Sequence, residues 1–514
     1  MDQFEPDMDT PSRAPLAKLQ ATRLGLDTHH HAVAYLRYDS AICRSNGLAS
    51  GAVVELHNGS NVILATAHIV ISDIIDAEQI GLSELAWQRL SASDGVEIGV
   101  RRSEPVESLS GVRSKIYGNP LSLESCQAII NDVVADRLSD IYITAFLTSC
   151  AGDNLDEQEM TNLTQAMVES GERFDWGTSP IVDKHCVGGL PGNRTTPIIV
   201  AIVTACGLTM PKTSSRSITS PAGTADTMET MAPVELDIAD MRRVVEQEGG
   251  CIVWGGGMQL SPADDKLIRI ERQLDIDSEG QLVASVLSKK VAAGATHLIL
   301  DLPTGPSAKV RTPEAAQILG GHLVRVASHF GIEAVTHVTD GSQPVGRGIG
   351  PALEARDVMA VLHNSERAPV DLKTRSLNLA GALLEMAGKA PSGSGFAMAL
   401  ATLESGAAWK KFQAICEAQG GFREPPTAAH SFPVTAAHSG VVELIDNRLL
   451  ARVAKYAGAP ESAAAGIQIH HFVGDRVNAG QPLFSIHAET PGELSYAQDF
   501  VEAHGAMVHL GELP

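Results

Sequence analysis

Asp183-Lys184-His185-Cys186-Val187-Gly188-Gly189-Leu190-Pro191-Gly192-Asn193-Arg194 and Pro211-Lys212-Thr213-Ser214-Ser215-Arg216-Ser217-Ile218-Thr219-Ser220-Pro221-Ala222-Gly223-Thr224-Ala225-Asp226-Thr227-Met228-Glu229 flank one apolar segment, Pro197 to Gly207. The order reads as a strand, a Gly-rich turn and a helix, then a second strand followed by a hydroxyl-rich turn. Backbone N–H groups of a Gly-rich turn ahead of a helix converge on one anion, and the helix dipole adds a favourable field. Gly188, Gly189 and Gly192 permit close approach, while Lys184 and Arg194 bring charge. Taken alone, this turn fits an ordinary tight turn equally well. The second turn gathers Ser214, Ser215, Thr219, Ser220 and Thr224 around Arg216, a density of donors that suits an oxyanion better than capping does. The pair reads as a phosphate site.

Working outward, strands and helices alternate from Ile181 to about Gly420. Cys251 to Trp254, His297 to Asp301 and Ala334 to His337 lie between helical stretches such as Gln281 to Ala293 and Pro313 to Phe330. This predicts an α/β fold with a mixed, mostly parallel sheet covered by helices, whose ligands sit at the carboxyl ends of the strands. Upstream, Val112 to about Gly171 carries apolar residues at helical spacing and predicts a helical domain. From Ala21 to about Arg102, short β-type runs separated by turns such as Asn58-Gly59 predict a small N-terminal β-barrel-like domain. His29-His30-His31 inside it reads as a surface or turn cluster, because neighbouring strand residues point to opposite faces. The tail from about His430 predicts a C-terminal α+β domain. The boundaries expected are 1–105, 106–175, 176–425 and 426–514.

The 514 residues exceed what one core serves, and the net charge of -22 argues against nucleic acid or an acidic membrane as partner. An anionic small-molecule substrate therefore needs a local cationic pocket. The longest apolar run is too short for a bilayer, and the acidic N-terminus lacks signal-peptide order, so a cytoplasmic location is expected. Seven scattered cysteines without a CxxC pair suit a reducing compartment and offer no zinc frame.

His185 follows Lys184 at the end of the first strand and reads equally as a structural imidazole. Cys186 carries no mark of a nucleophile. Farther on, Ser285 and Lys289 share one helical face after an acidic start at Asp277-Ser278-Glu279. The plain alternative is N-capping by Asp277 or Ser278 with a solvated Lys289-Lys290.

Asp183-Lys184-His185 with Gly188-Gly189, then Ser214, Arg216, Gly223-Thr224-x-Asp226 and Glu229, then Ala284-Ser285-x-x-x-Lys289-Lys290 resemble the thymidine/pyrimidine nucleoside phosphorylase family. The resemblance spans roughly residues 110 to 500. Pro191-Gly192-Asn193, Pro211 to Glu229 and Ser261-Pro262-Ala263-Asp264-Asp265 are most similar to the branch of AMP phosphorylases and long-form thymidine phosphorylases.

That resemblance implies a pentosyltransferase that cleaves the N-glycosidic bond of a nucleoside 5′-monophosphate or pyrimidine nucleoside with inorganic phosphate. The products are free base and (deoxy)ribose 1-phosphate or ribose 1,5-bisphosphate. No metal or organic cofactor is implied, and a homodimer or higher homo-oligomer is. By similarity, Lys184, Gly188, Gly189, Thr196, Ser214 and Thr224 hold phosphate, with Cys186 where many relatives have serine. Asp277 is the implied proton donor and His185 lies beside sugar and base. Ser215, Arg216, Ser217, Ile218, Thr219, Ser220, Ser285, Lys289 and Lys309 are the implied substrate contacts. The family also joins the segment 263–292 to the helical domain in space. One departure bears on the base: Glu271 stands where thymidine phosphorylases carry a base-binding arginine. The alternatives are a non-catalytic nucleotide-binding protein or a phosphoribosyltransferase of the same architecture. The latter needs a diphosphate and magnesium-binding acidic motif, and the intact set of Lys184, Ser214, Thr224, Ser285 and Lys289 disfavours a non-catalytic protein.

Overall fold

The computed structural model describes residues 16–512 apart from His30, Pro105, Ile218, Thr219, Gln259, Asp275 and Asp277. Two units are distinguished, 1–107 with 135–139 and the remainder of the chain. In the first, β1 (Ala17–Arg23), β2 (Val33–Arg37), β3 (Val53–Asn58), β4 (Asn61–Val70), β5 (Gln79–Leu82) and β6 (Glu97–Arg102) close a barrel in the order β1-β5-β2-β4-β3-β6. Leu36, Val54, Leu56, Ile80, Leu82, Ile98 and Val100 are fully buried inside it. Period-two patterning sends these side chains inward, and closure leaves no unpaired sheet edge. His29 adopts φ 58° beside a turn, as the surface reading of the histidines requires, while His30 lies outside the described residues.

The second unit begins with helices Leu109–Ile116, Leu123–Val134, Asp140–Ser149 and Glu157–Glu169. Helices Pro262–Leu274 and Glu279–Ala292, distant in sequence, pack onto them. A capping box of Asp156 and Glu159 opens helix Glu157–Glu169, and the buried Glu159 also accepts from Lys115 at 2.6 Å. One carboxylate thus satisfies a helix end and pins a neighbouring helix.

The sheet beside this bundle contains β7 (Val182–Cys186), β8 (Met210–Ser214), β9 (Gly250–Trp254), β10 (His297–Thr304) and β11 (Glu333–Asp340). Every pairing is parallel: β7 with β10, β10 with β11, and β8 with β9. A single bridge, Ile181 to Thr209, joins β7 to β8 at their amino ends. The spatial order is therefore β9-β8-β7-β10-β11, and its direction reverses between β7 and β10. Open sheets of this kind bind ligands outside the carboxyl ends at that reversal. Helix Thr195–Ala205 is buried throughout on one face, against helices Val370–Met386 and Ala407–Ala418.

The tail forms two antiparallel sheets. One runs β12-β15-β17-β13, from β12 (Gly348–Ile349), β13 (His430–Thr435), β15 (Gly466–Ile469) and β17 (Pro482–Ala488). The other runs β16-β14-β18, from β14 (Gly440–Ile445), β16 (Arg476–Val477) and β18 (Val508–Gly511). Helices Asn447–Tyr456 and Pro491–His504 complete this α+β layer. The two-residue β12 comes from the α/β segment and pairs with β15 through Gly348–Gln468 and Ile349–Ile467. It is too short for any periodic signal.

Candidate active site

The register of β7 on β10 pairs Lys184 with Ile299 and Cys186 with Asp301. Strand alternation then sends Lys184 and Cys186 to one face and Asp183 and His185 to the other. On the first face the buried Lys184 ammonium donates to the Thr195 hydroxyl at 2.8 Å and lies 3.8 Å from Asp301. Thr195, rather than its neighbour Thr196, is the hydroxyl that Lys184 reaches; both are buried in the first turn of helix Thr195–Ala205. Thr339 donates to the other Asp301 oxygen at 2.6 Å. Asn193 donates to the Cys186 sulfur at 3.2 Å. Burial and Asp301 push the Cys186 thiol up to about 12, so it stays protonated and non-nucleophilic at neutral pH. Arg375, a cation without a sequence signal, reaches the same end of the sheet and donates to the Asp340 carbonyl.

On the opposite face Asp183 accepts from Lys212 at 2.9 Å and pairs with Lys290 at 2.7 Å, all three being almost wholly buried. Burial raises the Asp183 pKa and the two ammoniums more than reverse that, so the net shift is downward. Burial, then Lys290, Lys212, Lys289 and Lys184, hold the His185 imidazolium well below its ordinary range. His185 is therefore a neutral imidazole at pH 7.

Two glycine-dependent approaches shape the loops. Gly192 has φ +69°, and a Cβ there would stand 2.2 Å from the Val345 carbonyl oxygen. Gly223 lets its turn pass close to the next loop: a Cβ would stand 2.5 Å from the Ser215 carbonyl oxygen. Arg194 links the two loops, donating to Thr224 Oγ1 at 2.8 Å, the Ala222 carbonyl at 2.9 Å and the buried Glu354 at 2.6 Å. Ser214 donates to the Val253 carbonyl at 3.2 Å. Gly188 and the exposed Gly189 lie at the carboxyl end of β7, where the sequence places an anion cradle.

The second loop is braced from within. Arg216 donates to Glu229 at 2.6 and 3.0 Å, to Glu235 at 2.9 Å and to Asp226 at 3.3 Å, and stacks 5.0 Å over the Trp254 ring. Asp226 also accepts from the N–H groups of Ser217 and Gly223 at 2.6 and 2.8 Å. Ser217 donates to the Ser220 carbonyl, and Ser220 to that of Ala222. The charge expected of Arg216 toward a substrate is thus taken up by three carboxylates, and its observed contacts hold the loop. Ser215 is exposed; Ile218 and Thr219 lie outside the described residues.

The facing wall is helix Glu279–Ala292. Ser278 is its N-cap and donates to the Cys150 carbonyl at 3.0 Å. Asp277, expected as the proton donor, lies outside the described residues. Lys289 donates to Ser285 at 3.2 Å and to the buried Asp264 at 2.5 Å. The structure thus brings Ser285 and Lys289 together, as their spacing predicts, and adds Asp264. Lys290 corrects the plain reading of that spacing: it is buried against Asp183 and not solvated. Lys309 stands exposed in the turn after β10.

Family models match this chain in three places. Residues 178–409 match "Glycosyl transferase family, a/b domain", residues 112–171 match its "helical bundle domain", and residues 441–506 match "Pyrimidine nucleoside phosphorylase C-terminal domain". A protein named "Putative thymidine phosphorylase" from Polaromonas sp. (strain JS666 / ATCC BAA-500) is 57% identical over 96% of this chain and 97% of its own. One of the same name from Hahella chejuensis is 56% identical over 95% and 97%. Anthranilate phosphoribosyltransferase from Thermus thermophilus superposes with a TM-score of 0.51 at 19% identity, over 60% of this chain and 99% of its own, a likeness of fold alone. Helical bundle, α/β sheet and matched domains define a glycosyl transferase. More narrowly, the chain belongs to the thymidine/pyrimidine nucleoside phosphorylase family. No helix among the described residues is long and apolar enough to cross a membrane.

Proposed function

We propose that this protein is a nucleoside phosphorylase that uses inorganic phosphate to release the base from a nucleoside 5′-monophosphate or a pyrimidine nucleoside. The observation that carries the reading is two groups of donors held on one strand and the helix tied to it: Lys184 and the Gly188-Gly189 turn at the carboxyl end of β7, and Ser285 with Lys289 on the helix whose Lys290 pairs with Asp183 of β7. Thr195 accepts from Lys184, and Asp264 from Lys289. Full-length likeness to the proteins named as thymidine phosphorylases supports the same activity.

In this mechanism a phosphate oxygen attacks the anomeric carbon while the C–N bond breaks and its electron pair leaves with the base. The transition state resembles an oxocarbenium ion, which a phosphate dianion beneath the ring stabilises. Lys184 and backbone N–H groups of the Gly-rich turn hold that dianion. Asp277, protonated, delivers a proton to the departing base; Ser285 and Lys289 orient the base, and neutral His185 lies beside the sugar as a hydrogen-bonding group. Closure of the two walls excludes water, which favours phosphorolysis over hydrolysis. The residues themselves supply nucleophile binding and proton transfer, so the reaction proceeds without a cofactor.

A nucleoside 5′-monophosphate is the favoured substrate. Glu271 replaces the base-binding arginine expected of thymidine phosphorylases, and the exposed Ser215 and Lys309 bring donors suited to a 5′-phosphate. Exposed Ile116, Tyr117, Ile141 and Tyr142 on the helical bundle support a homodimer formed through that layer. The test is base release from AMP, CMP, UMP, thymidine and uridine with phosphate and without added metal. No release from any of them at high phosphate refutes the activity; release from the nucleosides alone refutes the 5′-phosphate preference.

A further inference from the structure

The charges that β7 and the two anion loops bring are already matched within the fold. Lys184 lies 3.8 Å from Asp301, Arg194 pairs with Glu354 at 2.6 Å, and Arg216 meets Glu229, Glu235 and Asp226. A phosphate dianion arriving at the carboxyl end of β7 needs a further cation, because a desolvated anion without a counter-charge is costly. Arg375 stands at that end.

Its place follows from helix Val370–Met386. Leu372 and Leu379, three residues before and four after Arg375, are buried in one cluster with Val182 of β7 and Ile299 of β10. These spacings put Arg375 on the same stripe of the helix. Ile299 pairs with Lys184, and Asp301, two residues on, pairs with Cys186. The stripe therefore covers the face of the sheet that carries Lys184, Cys186 and Asp301. Arg375 Nη2 donates to the backbone carbonyl of Asp340, the last residue of β11, which is a neutral partner. Nη1 is buried and has no hydrogen-bond partner among the described residues. Burial and Asp301 raise the Cys186 pKa while Lys184 and Arg375 oppose them, which agrees with a guanidinium close to that sulfur. A buried N–H of a charged group is unfavourable until an acceptor reaches it.

We propose that Arg375 is a phosphate-binding residue: its Nη1 donates to an oxygen of the attacking phosphate at the carboxyl ends of β7 and β10, and it brings the positive charge that Lys184, paired with Asp301, does not. This rests on the phosphorylase reading and adds to it a contact supplied by the helix packed on the sheet. A guanidinium suits the task, because its planar fork holds the Asp340 carbonyl with one nitrogen and a phosphate oxygen with the other. It also places a charged donor near Cys186, whose thiol is a weak one.

The test compares Arg375→Gln and Arg375→Met with the unaltered protein. Glutamine keeps a donor for the Asp340 carbonyl and removes the charge; methionine removes both. Each is expected to raise the phosphate KM by about tenfold or more, the scale of one hydrogen bond to a charged group, while the KM of the nucleoside or nucleotide stays within about threefold. A guanidinium that only braced Asp340 would be replaced by glutamine without loss. An Arg375→Gln enzyme with a phosphate KM within about twofold of the unaltered protein overturns the proposal. A rise confined to the KM of a 5′-monophosphate also overturns it, since Arg375 would then serve that phosphate. Should Arg375→Met not fold, the glutamine variant decides alone. Calorimetric titration with inorganic phosphate separates the two readings. If the unaltered protein releases base from no substrate, the phosphorylase reading fails, while equal phosphate affinity in the unaltered protein and Arg375→Gln defeats the Arg375 inference.

Discussion

Replacing Lys184 by methionine separates the cost to the fold from the cost to the reaction. The ammonium is 2% exposed, donates to Thr195 and stands 3.8 Å from Asp301. At that 3.8 Å separation, an effective dielectric of about 20 makes the gross attraction about 4 kcal/mol. Removing the ammonium also removes its own desolvation penalty of several kcal/mol, and Asp301 keeps the Thr339 hydroxyl at 2.6 Å. Asp301 is nevertheless left fully buried without this cation, so the net loss of stability is about 3–5 kcal/mol, below the roughly 5–15 kcal/mol that holds a folded domain. The kinetic loss has no such offset. A charge-assisted donor aimed at phosphate in the transition state contributes about 3–4 kcal/mol, so kcat/KM for phosphate should fall about 100- to 1000-fold. Initial rates across a phosphate series, with urea denaturation of the same preparation, check both halves. A well-folded Lys184→Met enzyme whose kcat/KM for phosphate stays within about tenfold of wild type would refute the assignment of Lys184 to the phosphate.

Arg194→Ala leaves the buried Glu354 without its cation and unlinks Ala222 and Thr224, so it should cost about 3–5 kcal/mol and show as a lower denaturation midpoint. Because Glu354 is itself raised by burial against the pull of Arg194, adding Glu354→Gln should recover part of that loss. The depressed His185 value gives stability a sign with pH. Below its ordinary value of 6.5 the unfolded chain takes up a proton that the folded site refuses, so stability falls as pH drops from 7 to 5. His185→Asn should flatten that part of the urea-midpoint profile, and an unchanged slope would show that other groups carry it. Asp277→Asn should lower kcat about 100-fold or more while changing substrate KM little; an unchanged turnover would remove Asp277 from proton transfer.

Much of the architecture was legible in local patterning. Period-two runs mark the barrel, and Gly and hydroxyl clusters after β7 and β8 mark the carboxyl ends where the candidate site lies. The spacing of Ser285 and Lys289 places them on one helical face, where they meet at 3.2 Å. Partners supplied from far along the chain were not legible. Glu354 lies 160 residues from Arg194, and Asp264 faces Lys289 from another helix. Arg375 carries no motif and reaches the sheet end only because helix Val370–Met386 packs beside it. Arg216 shows the same limit in reverse. Its hydroxyl-rich surroundings suggest a substrate contact, yet Glu229, Asp226 and Glu235 converge on it and make it a brace.

By itself the sequence indicated which residues carry anion-binding chemistry and on which elements they stand, because turn chemistry and side-chain periodicity are local properties. Only the tertiary structure decided how their charges are spent. Lys289 and Lys290 are adjacent in the chain and chemically identical, but successive helical residues point about 100° apart. One turns to Ser285 and Asp264, while the other is driven between β7 and β8 against Asp183. Whether a lysine is solvated or buried in a pair depends on what the fold brings opposite it, and no window of sequence around Lys290 contains Asp183.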